Sequence, residues 1–142
     1  MIKDECGLGV EDIYPMDKVQ ADWEYIRKFT EKVNEEGFPM FMGYEWQGAG
    51  KDGDHNVFFL KNDQNPYFPL RYLELEKNFR EVDCIAIPHH LAYELGHRGK
   101  NWETHNDKFS PFVEIYSSHG SSENDESQFT MDRHIHMGPR TG

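Results

Sequence analysis

The chain has little cysteine, no long apolar run and no excess of positive charge. Its two cysteines, Cys6 and Cys84, do not imply a disulfide framework. Cys84 sits inside an apolar run, as a small buried residue would. No apolar segment approaches the roughly 18 residues that a membrane-spanning helix needs, so no membrane partner is expected. The opening MIKDECGLG has no apolar core of a secretory signal, which leaves a cytoplasmic location as the default. Against 26 Asp+Glu stand only 15 Lys+Arg, a formal net charge of −11. Phosphate-backbone binding needs the opposite balance, so nucleic acid is not an expected partner. Most of these carboxylates serve solubility, and some could be matched by bound cations.

Several reactive patterns are also missing. There is no G-x-S-x-G elbow for a hydrolase serine, although serines flank His119. No G-x-G-x-x-G or Walker-type loop appears, and no C-x-x-C zinc pattern. The Gly-rich GAGKDGD lacks the phosphate-loop spacing and a following helix.

What is present is a globular composition, 37% hydrophobic and 14% aromatic, in 142 residues, enough for one domain with a modest core. Val19, Trp23, Ile26, Phe29 and Val33 follow a helical stripe over 17–36, with Asp17 as N-cap and Gly37 as stop. A second helix is read over 70–82, with Leu70, Leu73 and Phe79 inward. Strands are read at 38–46, 55–60, 84–88 and 112–117, and turn chemistry fills 47–54. The run CIAIP is apolar on both faces, as in a sheet covered on both sides. The order of elements predicts an α/β fold with some parallel pairing. The strong helix argues against an all-β cupin-like sandwich.

The chemistry is read at the strand ends. The first strand runs into Glu45, the third into His89 and His90, and the fourth into His119. In parallel α/β folds ligands gather at the carboxyl ends of strands, and glutamate and imidazole are ligands for Zn, Mn or Fe. His55 opens its strand and joins the group if the hairpin brings it to the same end. Glu114 shares a strand face with Phe112 and Tyr116, where an inward carboxylate wants a cation or a hydrogen-bonded partner. Ordinary readings stand beside each. Glu45 could be an edge carboxylate, the histidines a surface pair, His119 a turn residue and Glu114 solvent-facing. Strand alternation lets only one of His89 and His90 point into a given site, unless the strand has ended. His97 and His105, in a long polar loop, and the H-x-H pair His134 and His136 read as ordinary polar residues.

Four motifs then stand in order: GYEW (43–46), HNVFF (55–59), IPHH (87–90) and VEIYSSHGSSE (113–123). Together they resemble those of a large family of unknown function within the PHP (polymerase and histidinol phosphatase) superfamily, over roughly residues 17–125. The resemblance implies a distorted (β/α)7 barrel, with a mixed sheet and flanking helices. It also implies a cluster of divalent metal ions (Zn, Mn or Fe) at the strand ends, hydrolysing a small-molecule phosphoester by activating water. By position, Glu45 resembles the bridging glutamate, His89 rather than His90 a middle-strand ligand, and His119 the later histidine ligand. His55, His90 and Glu114 become the catalytic or pocket groups around them.

The family's N-terminal H-x-H strand and C-terminal Asp-x-His strand have no counterpart in place, and a full barrel takes about 200 residues or more. The chain is therefore expected to be a single incomplete PHP-like domain over 1–142, a partial barrel that binds metal weakly and turns over poorly. An inactive, truncated paralogue acting as a metal-binding, ligand-binding or interaction protein is the alternative. Exposed barrel edges would favour self-association.

Overall fold

The computed structural model describes residues 15–93, 95, 96 and 98–123. His97, His134 and His136 lie outside the described residues.

Helix α1 spans Met16–Glu35 and starts one residue before the predicted position, after Pro15, with no side-chain cap. It ends as predicted at Gly37, which takes the left-handed φ of +88° that favours glycine. The expected apolar stripe is only partly used. Trp23 is buried, whereas Ile26 and Phe29 are exposed. The helix is held instead by polar contacts along one side. Trp23 Nε1 donates to Gln64 O at 2.8 Å, and Arg27 Nη1 donates to Asn62 O at 2.6 Å. Trp23 also meets the edges of Tyr44 and Phe59, with ring centroids 6.0 and 6.2 Å away.

The central sheet has three strands in the order β1 (Gly43–Trp46), β2 (His55–Phe59), β3 (Cys84–Pro88). Both pairings are antiparallel. This overturns the expected barrel. Among the described residues there are two helices of eight residues or more and two small antiparallel sheets, and no barrel closes. The physical reason lies in the connections. The link from β1 to β2 is a short Gly-rich turn, which can only return the chain antiparallel. The link from β2 to β3 carries α2 (Tyr72–Phe79) but again returns antiparallel, so no βαβ unit forms. The predicted strand 112–117 shrinks to β4 (Tyr116–Ser117), which forms a two-stranded hairpin with β5 (Gly120–Ser121). Upstream of β4 the chain touches the outer edge of β3 without a regular ladder: Ala86 N donates to Phe109 O at 2.8 Å, and Glu114 N to Pro88 O at 3.0 Å.

Period-two alternation splits the sheet into two faces. Trp46, Val57, Phe59 and Ala86 point to the core, where Tyr72, Leu75 and Phe79 of α2 and Phe109 cover them. Leu73, expected inside, is exposed. The other face is not covered among the described residues, contrary to the two-sided burial expected of CIAIP. There Phe41, Phe58, Leu60, Ile85 and Ile87 line an apolar groove of about 560 Å³. No described helix is long and apolar enough to cross a membrane.

Candidate metal centre

The antiparallel sheet still brings the predicted residues together, by a route other than a barrel. Because β1 and β3 both run antiparallel to β2, they run in the same direction as each other. Their carboxyl ends therefore meet at the amino end of β2, in the register Trp46↔His55↔Pro88. Glu45 comes from the end of β1, Asp54 from the residue before β2, and His89 and His90 from just beyond β3. One ligand atom from each of these four lies within 4.8 Å of the others.

Each position has a local cause. Glu45 is on the strand face opposite Trp46, so its carboxylate stays partly in solvent while the indole is buried and donates to Pro69 O at 2.8 Å. Asp54 is fully buried, set by backbone bonds on both sides: its N–H donates to Arg98 O at 3.4 Å, and its C=O accepts from His89 N at 3.1 Å. Gly53 allows this close approach. It has φ +84°, and a Cβ there would stand 2.7 Å from Lys100 Cα.

His89 and His90 both join the group, the case that the alternation argument leaves open where a strand has ended. The strand ends at Pro88, and His90 takes a left-handed φ of +59°, so the two rings are not forced to opposite faces. Their centroids lie 3.7 Å apart. His89 is flanked by carboxylates on both nitrogens, Nε2 by Glu45 Oε1 at 3.2 Å and Nδ1 by Glu114 Oε1 at 3.6 Å. Glu114 thus stands behind His89, outside the group of four.

His119 is a neighbour of the group rather than one of the four. Its ring centroid lies 4.1 Å from that of His90, and its Nδ1 is hydrogen-bonded to Tyr93 Oη at 2.8 Å. His55 is placed beneath the site, in the core. Its ring stacks obliquely between Trp46 and Tyr72, its Nδ1 meets Gly53 O at 2.9 Å, and Lys100 Nζ lies 3.1 Å from its Nε2. The tautomer that satisfies both donates from Nδ1 to the carbonyl and accepts from the ammonium at Nε2. With both nitrogens engaged, His55 supports the floor of the site. His105 pairs with Asp107 at 3.0 Å, well apart in role from the group.

The electrostatics follow burial. Burial pushes the Asp54 carboxyl up to about 6 despite the opposing Arg98 guanidinium. Burial likewise pushes His90 down to about 3, helped by the neighbouring His89 and His119. For Glu45 burial works upward, but hydrogen bonds from Gln47 and His89 and the charge of Arg98 win, and its pKa is lowered. Two buried polar atoms of the group have no hydrogen-bond partner, Asp54 Oδ1 and His90 Nδ1. Orphaned buried donors and acceptors are costly and call for an explanation. Two carboxylates and two imidazoles form a donor set suited to zinc, manganese or iron.

Asp54 was missed in the sequence because it stands in GKDGD, where Asp after Gly reads as turn chemistry. The available signal was its place directly before β2, one position beyond the Trp46↔His55 pair. A comparison with known proteins finds no family model, no curated protein and no solved structure that matches the chain.

Proposed function

We propose that this protein binds a divalent transition-metal ion through Glu45, Asp54, His89 and His90 and is a metal-dependent hydrolase. The observation that carries the reading is the meeting of one ligand atom from each of these four residues within 4.8 Å, in a group where Asp54 and His90 each keep a buried polar atom without a hydrogen-bond partner. A metal bound there would lower the pKa of water and offset negative charge building on the substrate. The chain's own residues then have separate tasks. Asp54 and Glu45 supply negative charge, one from the interior and one from the solvent side. Glu114 faces His89 Nδ1 and would fix that ring so that Nε2 is offered to the metal. His119, held by Tyr93 beside His90, is a group that could carry a proton to or from substrate. A phosphoester is the proposed substrate class, and it rests on the resemblance of the four sequence motifs rather than on the geometry.

The test is metal content after dialysis against zinc or manganese, followed by metal-dependent hydrolysis of p-nitrophenyl phosphate. Asp54→Ala and His90→Ala are expected to lose the bound metal. Wild-type protein that retains no metal, and gains none when the Arg98 side chain is replaced, defeats the reading. A second reading is favoured by Arg98, whose guanidinium pairs with Asp54 and lies 3.6 Å from Glu45 Oε1. In it the cluster is an ion-pair network of a non-catalytic binding protein, and the same dialysis leaves the protein metal-free.

A further inference from the structure

The two buried aspartates of the Gly-rich turn, Asp52 and Asp54, are each paired with an arginine, but in different ways. Arg71 grips Asp52 with both arms: Nε to Oδ2 at 2.7 Å and Nη2 to Oδ1 at 3.0 Å. Tyr72 N and Asn101 Nδ2 add two more hydrogen bonds, so both oxygens of Asp52 are satisfied. This is the planar, two-point pairing that a guanidinium makes with a carboxylate when the pair is structural. Arg98 does otherwise. Its Nε takes Asp54 Oδ2 alone, its Nη2 leans toward Glu45 Oε1 at 3.6 Å, and Asp54 Oδ1 is left with no partner although the residue is fully buried. The guanidinium spans two carboxylates, as a cation in the centre of the group would.

Resting on the metal reading above, we propose that Arg98 is a built-in competitor for the metal site. Its guanidinium holds Asp54 and Glu45 in the metal-free protein, and a divalent ion must displace it to reach them. Two cations cannot share these carboxylates at close range without strong repulsion. The side chain is able to leave, because it is 40% exposed at the rim of the site. Its backbone is able to stay. Arg98 N donates to Gly50 O at 2.9 Å, and Arg98 O accepts from Asp54 N at 3.4 Å, so the turn remains tied while the side chain swings into solvent. The consequence is a site whose apparent affinity is set by the difference between the metal and an internal cation, and which keeps its buried carboxylate paired when metal is scarce.

The experiment measures zinc and manganese affinity of the metal-free full chain by competition with a chromophoric chelator, for wild type, Arg98→Gln and Arg98→Lys. Circular dichroism of each metal-free protein verifies the fold. Arg98→Gln removes the competing charge and is expected to bind metal about tenfold more tightly, or more, as for loss of one charge-assisted pair. Arg98→Lys keeps a charge without the bridging fork and is expected to fall between. In parallel, metal is expected to raise the melting temperature of Arg98→Gln more than that of wild type. Equal or weaker binding by Arg98→Gln overturns the competition while leaving the metal site standing. If Arg98→Gln fails to fold, Arg98→Lys decides alone, and binding no tighter than wild type overturns the proposal. Failure of wild type and both variants to bind either metal overturns the metal reading itself and the competition with it.

Discussion

Glu114 Oε1 faces His89 Nδ1 at 3.6 Å, while the opposite nitrogen of the same ring meets Glu45 Oε1 at 3.2 Å. The imidazole is hydrogen-bonded to a carboxylate at Nε2 and has a second carboxylate at ion-pair distance from Nδ1. Partners behind a ligating histidine commonly contribute 10- to 100-fold in metal affinity. Glu114→Ala is therefore expected to weaken metal binding by about tenfold or more. Because Glu114 is only partly buried, unfolding stability should change little. Isothermal titration with zinc, alongside urea denaturation of the metal-free protein, separates the two. An unchanged affinity removes Glu114 from the site.

The left-handed backbone of His90 makes a different prediction. Asn tolerates this conformation better than most residues, so His90→Asn is expected to fold normally while losing an imidazole donor. His90→Val, with a β-branched side chain at φ +59°, is expected to lose metal and also stability, by about 1–3 kcal/mol. Melting curves of the two metal-free variants check this. Equal melting temperatures would show that the backbone at position 90 relaxes.

Asp52 holds the turn that presents Asp54. It is buried, and it accepts from Arg71, Tyr72 N and Asn101. Asp52→Ala strands the buried Tyr72 N–H, while the half-exposed Arg71 turns to water, and is expected to cost about 1–3 kcal/mol of stability. Urea midpoints at neutral pH are the measurement, and a loss below about 1 kcal/mol would contradict the role given to Asp52.

Gly53→Ala tests the same turn from the backbone side. The new Cβ would meet Lys100 Cα at 2.7 Å at a residue with φ +84°. Neither the strain nor the backbone clash is easily relieved, so a loss of about 2 kcal/mol or more is expected, with metal binding lost as Asp54 shifts. A variant as stable as wild type would mean that the turn and the segment around Lys100 do not pack closely.

Acid is expected to destabilise the metal-free protein. His55 and His90 are held down to about 3 by burial, below the ordinary histidine value of 6.5. Between those values the unfolded chain binds more protons, so stability rises with pH and is lost as pH falls below about 6.5. Asp54, raised to about 6 from 3.8, acts in the opposite sense: its contribution is full below the unfolded value and disappears as pH rises through 6. Two imidazoles outweigh one carboxyl, leaving a net slope of up to about 1.4 kcal/mol per pH unit between roughly pH 4 and 6. Asp52, lowered to about 2 chiefly by its hydrogen bond from Arg71 against the opposing effect of burial, adds a further loss below pH 3.8. Urea denaturation across this range is the check, and a profile that is flat or falls with rising pH contradicts these placements.

The sequence by itself determined where the principal helices and the three central strands lie, because hydrophobic period and the punctuation by Gly and Pro are local properties. It also marked Glu45 and the His89–His90 pair as strand-end residues, since a polar group that directly follows an apolar run is visible without knowing the fold. Tertiary structure decided the rest. The direction in which strands pair is a non-local matter, and an antiparallel three-stranded sheet replaced the barrel that the motifs implied. That pairing still collects Glu45, His89 and His90, because two strands that flank a common antiparallel neighbour share a direction. It also draws in Asp54, which the sequence leaves indistinguishable from a solvated turn aspartate. His55 could not be sorted from its neighbours by type or spacing. Only the packing of Trp46 and Tyr72 around it, and the ammonium of Lys100 at its far nitrogen, send it to the core. Arg98 is the clearest case: nothing in its local sequence pairs it with a residue more than forty positions earlier. Burial of a carboxylate with one oxygen left over is a property of the folded chain alone.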